Sequence, residues 1–203
     1  MAFAETVLEA ERVIVADAPD LTTLRDVLRA ATGPDHTGLD QSMAGLRLAE
    51  PADLIRFLGI QLAARAGIEG WLERNALPGW VPPVQTTPIA QDLMALGGLP
   101  SGFPAPRFEP GATADWLGVA YVVAGSHLGN RLLLAQAGSA LPDDARRFLA
   151  GNAMQDYWRR LRSLLAGMPG PDGGDSSIRG AKATFGHFAR CVGMFGLMKS
   201  AAA

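Results

Sequence analysis

Cysteine is nearly absent: Cys191 is the single one in 203 residues. An internal disulfide is therefore excluded, and with no CxxC or CxxCH spacing there is neither a zinc knuckle nor a covalent heme attachment motif. The three histidines, His36, His127 and His187, never stand at i,i+3 or i,i+4, so no helical turn carries a paired-histidine metal site. No GxGxxG fingerprint for a flavin or nicotinamide occurs. Long apolar runs are missing too. The uncharged apolar run Leu117 to Gly125 is far shorter than the roughly 20 residues a bilayer span needs. Formal net charge is −2 with scattered basic residues, which leaves no electropositive stripe for nucleic acid. The opening MAFAETVLEAERV carries acids where a secretory leader would be basic and then apolar. These absences together predict a soluble, cytoplasmic protein with no nucleic-acid or membrane partner.

Glycine and proline are abundant, 24 and 14 residues, and they punctuate a chain whose apolar residues recur at helical spacing. A chain of this length fits one domain that buries roughly 70% of its unfolded surface. Residues 1–20 read as a helical N-terminal extension, with a short amphipathic helix over Glu5 to Ala16; residues 21–198 form the main domain and 199–203 a frayed tail. Asp20 or Thr22 is placed to cap the next helix, which carries Leu24, Val27, Leu28 and Ala31 on one side. Gly33-Pro34 then interrupts it, as a kink or as the start of a new helix. A helix follows from Pro51 to about Asn75. Leu77 to Pro88, with four prolines, is a connection, Ile89 to Leu96 a short helix, and Gly97 to Pro110 irregular. Ala145 to Ala166 is an amphipathic helix, Gly167 to Ser177 a flexible segment, and Ile178 to Met198, capped by Ser176 or Ser177, the last helix. No segment has the period of a strand, so the fold is all-α.

The segment that organises the rest is Trp116 to Ala137. Its length suits a single helix of about six turns, yet it contains Gly118, Gly125 and Gly129, each costing roughly 1 kcal/mol against alanine in a helix interior. Their spacing of seven and four, with Ala114, Tyr121 and Leu132 continuing the stripe, predicts a groove of nearly bare backbone. Either another helix packs into it or a planar ligand does, with Ser126 and Asn130 beside it as hydrogen-bonding groups. His127 lies about 200° around the helix from Gly125 and faces away from the groove, which predicts a surface or second-layer role. His187, between Phe185 and Phe188, reads as a core histidine. His36 differs: Arg29, Thr32, His36 and Asp40 follow at spacings of three, four and four on one face, and either Asp40 holds the Nδ1 proton and leaves Nε2 free as a ligand, or the two are simply an exposed histidine and its i,i+4 partner, which these residues alone favour.

Taken together, two stretches carry a resemblance. The run Leu28-Arg29-Ala30-Ala31-Thr32-x-x-x-His36-x-x-Leu39-Asp40, followed by Pro51-Ala52-Asp53-x-x-x-Phe57-Leu58, resembles the proximal region of bacterial biliverdin-producing heme oxygenases. Leu117-Gly118-x-x-Tyr121-Val122-x-x-Gly125-Ser126-x-Leu128-Gly129 resembles their distal helix. Asp92-Leu93-x-x-Leu96-Gly97, Arg147-Phe148-Leu149 and Ala183-x-Phe185-x-x-Phe188 also match, and the resemblance covers roughly Leu21 to Met194.

The resemblance implies a single-domain, all-α, heme oxygenase-like helical bundle with heme as both substrate and cofactor, sandwiched between a proximal helix and a glycine-kinked distal helix. His36 is then the axial iron ligand, and Arg29, Thr32, Asp40, Tyr121, Gly125 and Gly129 line the heme. Gly125, Ser126, Gly129 and Asn130 form the catalytic side, where crowding steers activated oxygen to a porphyrin meso carbon. Products would be biliverdin, iron and carbon monoxide, with electrons from a ferredoxin, a reductase or ascorbate and biliverdin possible for delivery to a phytochrome. Gly33-Pro34 departs from the helix formers usual in the family, and Ala124 replaces a common acidic residue. A heme-binding or sensing relative without efficient turnover, and a helical protein of the same shape acting on another small molecule or serving as a scaffold, are the alternatives.

Overall fold

The computed structural model describes residues 22–98, 103, 105–138, 141–170 and 174–200. The expected helix over Glu5 to Ala16 lies outside them. Eight α-helices make up the described chain: α1 Leu24–Met43, α2 Pro51–Asn75, α3 Thr86–Ala95, α4 Trp116–Gly125, α5 His127–Ala137, α6 Arg147–Ala150, α7 Ala153–Ala166 and α8 Gly174–Ser200. The only β pairing among the described residues is an isolated bridge between Thr23 and Pro169. The all-α expectation holds.

Helix α1 is capped by Thr23, whose hydroxyl accepts from the Asp26 N–H at 3.3 Å, rather than by Asp20 or Thr22. It runs unbroken through Pro34, although an interior proline costs about 3 kcal/mol. Leu24 and Leu28 on the same helix are fully buried, and burying each contributes roughly 1.5–3 kcal/mol, which offsets the proline. Gly33 and Pro34 themselves face solvent, and Thr32 and Thr37 return hydroxyl hydrogen bonds to the Leu28 and Gly33 carbonyls at 2.7 and 3.1 Å.

Three other boundaries move. Helix α3 starts at Thr86 instead of Ile89, because Pro88 sits in its first turn, where no N–H is needed. Glu69 fixes that start by accepting from the Gln85 and Thr86 N–H groups at 2.7 and 3.1 Å and from the Thr86 hydroxyl at 2.6 Å. The helix expected over Ala145 to Ala166 is a 3₁₀ turn, Asp143–Ala145, then α6, then α7 after a break at Gly151 and Asn152. The cause is Asp92, fully buried on α3. Its carboxylate takes the Arg147 and Phe148 N–H groups at 3.1 and 2.9 Å and the Arg147 guanidinium at 3.2 Å, pinning α6 onto α3. Helix α8 begins at Gly174, so Ser177 lies inside it and donates to the Asp115 carboxylate at 3.0 Å instead of capping.

Helix α8 is the spine. Its first turns meet Leu24 and Val27 of α1, and on another side it presses against α4 so closely that a Cβ on Gly118 would stand 1.7 Å from the Ser177 carbonyl oxygen. Leu28, Ile60, Ile68, Val119, Val123, Leu161 and Phe188 form the main core, and Leu54, Leu58, Ile89, Leu93, Phe148 and Leu149 a second one under α3 and α6.

Candidate functional site

The segment Trp116 to Ala137 is two helices rather than one. The break falls at Ser126, which has helical backbone angles (φ −61°, ψ −21°) and is the last cap of α4 and the first of α5. Its hydroxyl donates to the Val123 carbonyl at 2.8 Å, and the buried Arg65 of α2 donates to it through Nη2 at 2.7 Å. The three glycines accordingly do not share one job. Gly118 is the helix-packing glycine, filled against α8. A Cβ on Gly125 would meet only the Trp158 ring at 3.7 Å, and one on Gly129 would meet nothing within 4 Å. One turn on, Leu132 is 60% exposed, so the α5 end of the stripe is open apolar surface.

The other arm is α1. The His36 side chain is 64% exposed and its Nδ1 donates to Asp40 Oδ2 at 3.0 Å. The ring stands edge-on to Phe185 of α8, with centroids 6.0 Å apart. Thr32, one turn back, is buried, whereas Arg29 is exposed. Tyr121 of α4 reaches the Thr32 side chain, with Arg25 and Arg29 close enough to act on its hydroxyl electrostatically. Burial pushes the Tyr121 pKa up, against the pull of those two guanidinium groups, so the phenol stays protonated at neutral pH.

Contacts along α8 set the relation between the two arms. Leu24 and Val27 of α1 meet Gly174, and His36 meets Phe185. On the other side Gly118 meets Ser177, and Ser126 is tied through Arg65 to Phe188, whose ring lies 6.0 Å from the guanidinium carbon. Both arms therefore run along α8 in the same sense, touching at Thr32 and Tyr121. Thr32 and Tyr121 are brought together, with Arg29 close enough to act on Tyr121 electrostatically, and His36 is paired with Asp40.

The remaining histidines are structural. His127 is buried, not at the surface, because its Nδ1 bonds the Ala124 carbonyl at 2.6 Å and its ring packs 6.4 Å from Trp158. His187 is fully buried, with Nε2 on the Ala64 carbonyl at 3.2 Å and Phe108 edge-on at 5.2 Å. Burial, aided by the Arg190 charge, lowers its pKa, so it remains neutral. No cluster of three or more His, Cys, Asp or Glu able to hold a metal occurs among the described residues.

Sequence reasoning missed Arg65. The signal was present: Leu58, Gln61, Arg65, Ile68 and Leu72 stand at spacings of three, four, three and four, so an arginine occupies the core face of α2. All five are buried.

No family model and no curated protein matches the sequence. Among solved structures, the chain is similar to the heme oxygenase from Neisseria meningitidis, determined with NO and CO bound. The TM-score is 0.70 over 86% of this chain and 92% of that one, at 22% identity. The arrangement of α1, α4, α5 and α8 is thus the heme oxygenase fold.

Proposed function

We propose that this chain is a heme oxygenase that binds heme in the cleft between α1 and α5 and cleaves it to biliverdin with release of iron and carbon monoxide. The observation that carries the reading is His36, exposed and held by Asp40, in a chain whose α5 leaves open backbone at Gly129. An imidazole whose Nδ1–H is donated to a carboxylate presents an Nε2 lone pair, the arrangement typical of metal-bound histidine. The donor set suits an iron porphyrin: one nitrogen ligand, the edge of an aromatic floor at Phe185, exposed apolar surface at Leu132, and a guanidinium at Arg29 suited to a propionate. Bound heme would supply both the iron at which O2 is activated and the macrocycle that is opened, with electrons from an external donor such as a ferredoxin, a reductase or ascorbate.

The residues of the chain divide the remaining work. Asp40 fixes the tautomer and orientation of His36. Tyr121 and Thr32 close the end of the cleft where the arms touch. Gly125 and Gly129 keep the opposite wall free of side chains, so that bulk there would exclude the macrocycle. Ser126 is not a proton donor to a ligand, because its single hydroxyl hydrogen is committed to Val123; Asn130, the buried polar residue one turn on, is the candidate to hold solvent. Heme storage or sensing is the second reading, favoured by the exposure of His36 and by Pro34 two residues before it within α1.

Hemin titration of the full chain tests binding. One equivalent should give the Soret band of histidine-ligated heme, and His36→Ala should lose it. An unchanged spectrum in His36→Ala, with loss in His127→Ala or His187→Ala, would refute the ligand assignment.

A further inference from the structure

Where α1 gives way to α2, a cavity of about 470 Å³ opens, bounded by Ser42 at the end of α1, Arg47 in the connection, Asp53, Arg56 and Ile60 of α2 and Val192 of α8. Neither His36 nor Asp40 lines it. Its size falls within the roughly 300–1,000 Å³ of small-molecule sites.

The charge on its walls is not balanced within the protein. Arg56 is half-buried, its Nε is sealed from solvent without a hydrogen-bond partner, and its Nη2 lies beside the last turns of α8, 3.9 Å from where a Cβ on Gly196 would stand. Neither Arg56 nor Arg47 takes part in an ion pair or a cation–π contact among the described residues. Asp53 shares the cavity, yet its Oδ2 accepts the Arg47 backbone N–H at 3.0 Å and so ties the connection to the first turn of α2. Two guanidinium charges thus face one carboxylate. The Ser42 hydroxyl donates to the Leu39 carbonyl at 2.6 Å, which leaves the two guanidinium groups as the free side-chain donors of the cavity.

A half-buried cation without a counter-ion costs stability, and a sealed donor without an acceptor calls for an explanation. The planar fork of a guanidinium matches the paired oxygens of a carboxylate or a phosphate. We propose that this cavity is a binding site for a small oxyanion, a carboxylate or phosphate group held by Arg47 and Arg56. Asp53 is the positioning residue, since its bond to the Arg47 backbone sets where that side chain leaves the connection. Ile60 and Val192 supply apolar wall for the body of a ligand that carries the anionic group.

The test is calorimetric titration of the full chain, without hemin, in a buffer free of oxyanions. Inorganic phosphate and succinate are the two probes, and sodium chloride at matched ionic strength controls for screening. At least one probe should bind saturably at one per chain, and which of them does so distinguishes a phosphate from a carboxylate ligand. Arg47→Gln and Arg56→Gln should each weaken that binding about tenfold or more, the scale of a hydrogen bond to a charged group. Arg74→Gln, an exposed arginine at the far end of α2, should leave it unchanged. Circular dichroism and Tm establish that each variant is folded, and the exposed Arg47 decides the matter if Arg56→Gln does not fold. No saturable binding of either probe, a chloride effect of the same size, unchanged affinity in Arg47→Gln or in folded Arg56→Gln, or an equal loss in Arg74→Gln would overturn the proposal. Because no hemin is present, the outcome is independent of the heme reading.

Discussion

His36 and Asp40 form an exposed pair, and an exposed pair contributes at most about 1 kcal/mol to stability. Its value to the chain must then show in ligand binding rather than in folding. Asp40→Ala should leave Tm within about 4 °C while weakening hemin binding about tenfold, the lower end of what loss of an outer partner costs a metal-bound histidine; calorimetric melting and spectral titration on one preparation check both. His187 carries the opposite signature. Burial holds its pKa down in the folded chain, whereas the unfolded chain takes up a proton below about pH 6.5. Its contribution is complete above that pH and declines as pH falls toward the lowered folded value. Denaturant unfolding between about pH 7.5 and 5.5 should show this loss, and His187→Gln, able to keep the bond to Ala64, should flatten the profile. Cys191 is fully buried and its pKa is pushed up to about 11, so the native protein should resist thiol reagents until it is unfolded.

At the scale of the element, the glycine-bearing segment separates into packing and opening. Gly118→Ala places a methyl against the Ser177 backbone, which cannot move aside as a side chain would. About 3 kcal/mol of destabilisation is expected, the upper end of overpacking costs, and Tm should fall by roughly 6–12 °C. Gly129→Ala meets nothing and should cost no stability, whereas Gly129→Leu should leave Tm near that of the parent and abolish hemin binding. Equal Tm losses at both positions would return the whole stripe to helix packing. Spacing placed the three glycines in register but carried no record of which neighbour each would meet, since that depends on where α8 and α7 fall. Boundaries were likewise legible where local chemistry decides them, as at Pro51 and Asn75. They shifted where a distant side chain decides them, as Asp92 does for α6 and Glu69 for α3. The His36 face was readable from its i,i+4 partner; Arg65 was readable as a misplaced charge, but its contact with Ser126, 61 residues away, was not.

Over the whole molecule, α1 and α4 pack along one shared helix, α8, and a ligand that binds only the folded chain stabilises it. Hemin at about 100 times its Kd should add about 2.7 kcal/mol to stability and raise Tm by roughly 5–11 °C, and His36→Ala should lose most of that increment. The central claim, turnover, is tested most directly by supplying the ferric hemin complex with ascorbate or a ferredoxin-type donor in air, with catalase present, while the spectrum is recorded. The account predicts that the Soret band decays as a broad red-absorbing verdin band grows, because oxygen activated within the cleft never reaches the catalase. A Soret band that persists under these conditions, with verdin appearing only when catalase is left out, would contradict it.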